Sequence, residues 1–403
     1  SSSSSRLCCE GLFWGECQMT IRVCVRAGVV AAALGFSLAA SPACASKADA
    51  TAFQIDPAHD GNVKLKKFAA PLKLKWSKEL NGTVSYPLIA NGMIYVTTSV
   101  NPNGGYGTTL YALDQRNGDV VWQQAIEGTY FISNATYDNG QIFVLNFDGQ
   151  LSAFDATTGA PGVSVHLGDE YDDSGAPVAS HGKVYADEEY ALYAIDEKNG
   201  NLAWTQTGAG WSLPIVSGSN IFTANEPHHR RYSKKGDILW NQETGSTGGA
   251  AAYYNGRIYS PGGAVLDGET GDIVAMLGAI GLPAAFWSDA GQTDYRMGVS
   301  DGKLSSVKAQ NGKAAWSFTG DAQLITQPVV INDMVAVGSS AGTLYLLDAA
   351  SGDVLWSEKV AAGISHEQQG CCTQPWTAIA AGDGELAVPG GDTISVYSPA
   401  KKK

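Results

Sequence analysis

From Leu72 onward, apolar and polar residues alternate in short runs broken by glycine, asparagine and aspartate. A period of two with such punctuation predicts β-strands joined by tight turns. In L-Y-L-L-D-A-A-S-G-D-V-L-W, residues 344–356, an alternating strand is predicted to end at Asp348. Gly352 then supplies the positive φ of a hairpin, and Val354-Leu355-Trp356 returns as the next strand. The Asp348 carboxylate is expected to accept hydrogen bonds from the turn amides. Helical periodicity is scarce, so the fold class is all-β.

The same unit recurs. A-L-D-Q-R-N-G-D-V-V-W (112–122), A-I-D-E-K-N-G-N-L-A-W (194–204) and V-L-D-G-E-T-G-D-I-V-A (265–275) are further copies. The turn glycines Gly118, Gly159, Gly200, Gly236, Gly271, Gly312 and Gly352 are spaced 41, 41, 36, 35, 41 and 40 residues apart. A period near 40 in an all-β chain means a β-propeller with one four-stranded antiparallel blade per repeat. A tryptophan follows the glycine by four positions at Trp122, Trp204, Trp240, Trp316 and Trp356, while Val163 and Ala275 replace it in two blades. These tryptophans are expected to pack between blades.

Inner strands are predicted to begin at or near Pro87, Ala135, Ala176, Leu213, Ala250, Pro283, Pro328 and Thr377, which makes eight blades. The last repeat ends without an outer strand. L-K-L-K-W-S-K-E-L (72–80), with Trp76 in the repeat position, is predicted to complete it and close the ring, removing edges that invite aggregation. The prediction is a single eight-bladed propeller over 70–400, preceded by an extension over 46–69.

The segment before that extension reads differently. Met19 opens a basic stretch with Arg22 and Arg26, an apolar run from Ala27 to Ala40, and then S-P-A-C-A. The run is too short to span a bilayer and has the grammar of a secretory signal over 19–45. Residues 1–18 precede this start and are read as upstream sequence or a scar. Export places the protein in the periplasm. Acylation of Cys44, anchoring it to the outer membrane, is the alternative. Setting residues 1–45 aside leaves only Cys371 and Cys372 of the chain's 7 cysteines. The full chain carries 26 Lys plus Arg against 39 Asp plus Glu, a net charge of -13. Such a balance argues against nucleic acid and anionic membrane surfaces as partners. No transmembrane span is expected, and the chain is read as a monomer.

The repeat A-x-D-x-x-T-G-x-x-x-W resembles the tryptophan-docking motif of the pyrroloquinoline-quinone (PQQ)-type propellers, and the resemblance covers the whole of 70–400. Within that superfamily the chain is most similar to the BamB-like propellers of the outer-membrane β-barrel assembly machinery. This resemblance implies a non-enzymatic scaffold that docks a protein partner in the bacterial envelope, with no cofactor. The other branch contains PQQ-dependent dehydrogenases, and it implies the alternative: a ligand-binding or redox propeller holding a quinone, with calcium, or another planar ligand beside a vicinal cysteine pair.

Loops that lead from one blade's outer strand into the next blade's inner strand converge on one face of a propeller, the funnel face. They carry Tyr86, Tyr130, Tyr171, Trp211, Gln327, His366 and Trp376, and with them Cys371 and Cys372. These form the candidate ligand or partner site. The cysteines are read as a pocket wall resembling the dehydrogenase pair, as a strained ring stiffening its loop, or as free thiols. Asp169, Glu170, Asp172 and Asp173 offer oxygen ligands for calcium, yet match no defined loop; a solvated acidic turn is the plainer reading. His228, His229, Arg230 and Arg231 form the basic patch, expected on a strand near the rim as a partner contact. No nucleophile-elbow, phosphate-loop or zinc-protease motif is present.

Overall fold

The short apolar runs become strands: outermost strands such as Val354–Lys359 alternate in exposure, while middle strands such as Met334–Gly338 are buried on both faces. The computed structural model describes residues 49–168, 175–188, 191–208, 213–224, 228–244, 250–278, 284–360, 363–364 and 375–401, all within one compact unit, Pro42–Lys403. The described elements are strands, arranged as eight antiparallel blades. Blade 1 is built from Leu88–Ala90, Met93–Thr98, Thr108–Asp114 and Val120–Ile126. Blades 2 to 7 repeat the pattern over 133–166, 178–207, 215–243, 252–276, 285–318 and 329–359.

The eighth blade joins the two ends of the ring. Leu72–Glu79 pairs antiparallel with Thr393–Pro399, from Leu72↔Pro399 to Glu79↔Thr393, as expected from the sequence. Lys75 on this strand forms an ion pair with Glu385. The inner strand of blade 8, Ala380–Gly382, lies against those of blades 7 and 1.

Each repeat motif makes two joints. Within the turn, Asp348 Oδ1 accepts the amides of Ala350 and Ser351 at 3.0 and 2.9 Å, and Gly352 has a φ of 77°. Between blades, the tryptophan of one blade lies on the turn glycine of the next. A Cβ on Gly159 would stand 2.7 Å from Trp122, and one on Gly352 would stand 2.7 Å from Trp316. The indole N–H then donates to the next turn's backbone: Trp76 to Gln115 O at 2.8 Å, Trp122 to Ala156 O at 3.1 Å, Trp316 to Ala349 O at 3.0 Å. Where tryptophan is missing, Val163 and Val165 meet Gly200, and Leu277 meets Gly312. Trp356 has no hairpin glycine to meet, because blade 8 is completed from the other end of the chain, and it packs on Tyr397 instead.

The extension is the unexpected element. Innermost strands present an unpaired edge to the axis, and residues 50–63 fill that space and pair with it. Ala50 and Ile89 exchange backbone hydrogen bonds of 2.9 and 2.7 Å in blade 1. Thr51 O accepts Tyr137 N in blade 2, and Pro57, Ala58, Asp60 and Gly61 carbonyls accept from Val216, Tyr253, Phe286 and Val330 in blades 4 to 7. Asn62–Val63 continues as a parallel strand beside Val329–Ile331. The segment runs antiparallel to the inner strand at Ala50 and parallel at Asn62, so it rises toward the funnel face, turns at 52–55 and descends again. It is a plug made of the protein's own chain.

Candidate functional site

The tip of the plug sets the floor of the funnel face. Phe53 is fully buried, and its ring meets Tyr86 edge-on at 5.3 Å and Trp376 edge-on at 5.2 Å. Tyr86 is no surface aromatic: its hydroxyl donates to Ala135 O at 2.6 Å and accepts Ala135 N at 3.1 Å, clasping blade 1 to blade 2. Burial raises its pKa well above the ordinary phenol value, opposed by the Ala135 hydrogen bond. Trp376 is fixed through its backbone, with its carbonyl accepting Tyr86 N at 2.8 Å and its amide donating to Asn134 Oδ1 at 3.2 Å.

Outward from this floor the aromatics continue across blades 1 and 2. Trp376 and Tyr130 pack on Ile132 and Phe147, and Tyr130 meets Phe147 at 4.4 Å. Tyr130 and Phe131 both face Tyr106, at 6.5 and 5.2 Å. Tyr106 is 58% exposed. Its loop, N-P-N-G-G-Y-G, is held by Asn101, whose side-chain amide donates to Tyr106 O at 2.7 Å and to Glu127 Oε2 at 3.0 Å. Tyr106, Phe131 and Phe147 are not among the sequence candidates, although this long glycine-rich hairpin has no counterpart in the other repeats.

Of the sequence candidates, the structure brings Tyr86, Tyr130 and Trp376 together. Gln327 is buried where the chain leads into blade 7. Cys371, Cys372, Tyr171, Trp211, His366 and the acidic run Asp169, Glu170, Asp172 and Asp173 lie outside the described residues. The basic patch occupies the third strand of blade 4, His228–Tyr232. Arg230 donates to the Thr207 and Gly208 carbonyls of blade 3, and Arg231 pairs with Glu269 of blade 5 at 2.8 Å. Both arginines are therefore joints between blades. His229 is buried with Nδ1 at 3.1 Å from Thr244 Oγ1; burial, and then the charge of His228, lowers its pKa to about 4.

The plug carries its own polar load. Asp56 is raised to about 6 by desolvation, against hydrogen bonds from the Ala58, Asp60 and His59 amides. Asp60 is raised further by desolvation and by the charge of Asp56. His59 is fully buried and lowered to about 4 by desolvation, against the Ala251 backbone.

A planar quinone needs an open slot between flat aromatic faces. Here Phe53 fills the space between Tyr86 and Trp376 with edge contacts. Among the described residues, no group of three His, Cys, Asp or Glu side chains is placed to hold a metal ion. Phe53 thus fills the space between these two rings, while Cys371, Cys372, Tyr171 and Trp211, further candidates for the lining, lie outside the described residues.

A family profile described as outer membrane protein assembly factor BamB matches residues 60–223, 148–293 and 230–400 in overlapping segments. An alcohol dehydrogenase (quinone) dehydrogenase subunit of Gluconacetobacter polyoxogenes is 26% identical over 334 residues, covering 70% of this chain and 41% of that protein. The chain thus spans about two-fifths of that relative's length. An outer membrane protein assembly factor BamB of Moranella endobia is 28% identical over 251 residues, covering 58% of this chain and 59% of that protein. The crystal structure of BamB from Moraxella catarrhalis superimposes with a TM-score of 0.63 at 16% identity, covering 81% of this chain and 100% of that one, a likeness of fold.

Proposed function

Since the chain belongs to the family described as outer membrane protein assembly factor BamB, we propose that it is a non-enzymatic scaffold that docks a protein partner in the bacterial envelope on its funnel face. One observation carries this reading. The axis is filled by the protein's own residues 50–63, so the funnel has a shallow aromatic floor with an exposed rim at Tyr106. An exposed aromatic anchor at the edge of such a floor suits a protein surface. In this reading residues 19–45 direct export, and the propeller works as a monomer in the periplasm.

The test is a photo-crosslinking residue at position 106 in the exported protein, followed by mass spectrometry of the adducts. Recovery of barrel-assembly components supports the reading. A clean monomer band across the whole population sinks it. The dehydrogenase relatives motivate a second reading, in which Cys371 and Cys372 border a ligand. Visible absorbance of the purified protein, lost on Cys371→Ser, would establish that reading in place of the first.

A further inference from the structure

On the funnel face, where the outer loops of blades 1 and 2 meet, Tyr106, Tyr130 and Phe131 form a notch. Tyr106 is inclined 52° to Tyr130 and 46° to Phe131. Tyr106 leans on both rings without stacking flat on either and is 58% exposed, which leaves aromatic surface open to a ligand. Beside them stand two carboxylates. Glu127 accepts from the side-chain amides of Asn101 at 3.0 Å and Asn103 at 3.2 Å. Asp148 accepts the Thr129 amide at 2.9 Å and the Thr129 hydroxyl. All these donors are neutral, so both charges are held in place without being cancelled. Neither carboxylate is in an ion pair among the described residues. The segments that form the notch, 99–107, 127–132 and 146–150, contain no lysine or arginine.

We infer that this notch takes the guanidinium of an arginine on an extended segment of the partner protein. A cation over tilted aromatic faces is attracted by their quadrupoles. A planar guanidinium can stack on a ring and still donate sideways to a carboxylate, which an ammonium cannot do. The chain's net charge of -13 adds long-range attraction for a basic segment. Tyr106 is already fixed through Asn101 and through Gly107 N donating to Tyr130 O at 2.9 Å, so binding orders little. The inference rests on the scaffold reading and adds the chemistry of the partner.

The probe is a fluorescent peptide, acetyl-Gly-Arg-Gly-Arg-Gly-amide, titrated into the purified full chain by anisotropy. Its citrulline analogue has nearly the same shape without the charge. The arginine peptide should bind at least about fivefold more tightly than the citrulline peptide, and raising salt from about 20 to about 300 mM should weaken it. Tyr106→Ala and Glu127→Gln should each weaken it roughly three- to tenfold. Both residues are exposed, and circular dichroism reports whether each variant stays folded. Equal affinity for the two peptides, no binding at millimolar concentration, or unchanged affinity in both variants overturns the inference. If the position-106 crosslinker captures a partner while the peptide fails, the scaffold reading stands and the arginine reading alone falls.

Discussion

The ring of Phe53 meets the indole of Trp376 edge-on, with centroids 5.2 Å apart and planes at 77°. One residue comes from the start of the described chain and the other from the loop before the last inner strand. Their contact ties the plug to the funnel floor. Phe53→Ala should therefore cost about 3–5 kcal/mol of stability, as for other buried phenylalanines, and should shift the Trp376 emission. Chemical denaturation with tryptophan fluorescence reads both. A loss below about 1 kcal/mol would mean that the plug is not held by this contact.

Gly140, in the turn after the inner strand of blade 2, and the turn glycine Gly159 make a sharper test, since a side chain covers only the second. Gly140 has a φ of 79°, and a methyl carbon added there would find nothing within 4 Å, whereas Gly159 has a φ of 72° with Trp122 at 2.7 Å from the same position. Gly140→Ala should cost only the left-handed backbone penalty, about 1–2 kcal/mol. Gly159→Ala should add about 1–3 kcal/mol for displacing the tryptophan. Equal thermal shifts for the two variants would contradict the docking role.

Glu197 gives a pH dependence. It is buried between blades 2 and 3, with Oε2 accepting from Asn139 at 3.0 Å. Burial, opposed by Asn139 and reinforced by Asp138, raises its pKa from 4.5 to about 7. The folded value lies above the unfolded one, so folding favours the protonated acid. That stability is fully present below about pH 4.5 and is lost as pH rises through about 7. Glu197→Gln should abolish this contribution and gain about 3 kcal/mol over wild type at pH 8. Parallel stability–pH curves for the two proteins would refute the assignment.

Hydrogen exchange tests the plug without a mutation. The amides of Val216, Tyr253, Phe286 and Val330 face the axis and donate to plug carbonyls. They should be as protected as amides inside the blades. Exchange at the rate of open strand edges would show the plug to be a loosely held tail.

The ring is legible in the sequence because each blade repeats a side-chain device. Trp122 on Gly159 and Trp316 on Gly352 need those two residue types at that spacing, and the spacing is visible as a period. The plug is not legible because it is held by carbonyls at Pro57, Ala58, Asp60 and Gly61, which every residue possesses. Tyr86 reads as a surface aromatic for a related reason. Its position in a loop is plain in the sequence, but the burial that turns it toward Ala135 depends on Phe53, which belongs to no repeat. The notch at Tyr106 lies between these cases, since its glycine-rich hairpin is visible and its partners on the next blade are not.

Residues 50–63 are the axle of a wheel whose rim is fastened by the next strand, 72–79. The axle is bonded to the inner strands of blades 1, 2 and 4 to 7, and the strand that follows it in the chain closes blade 8, so one stretch of sequence, 50–79, holds both the hub and the rim.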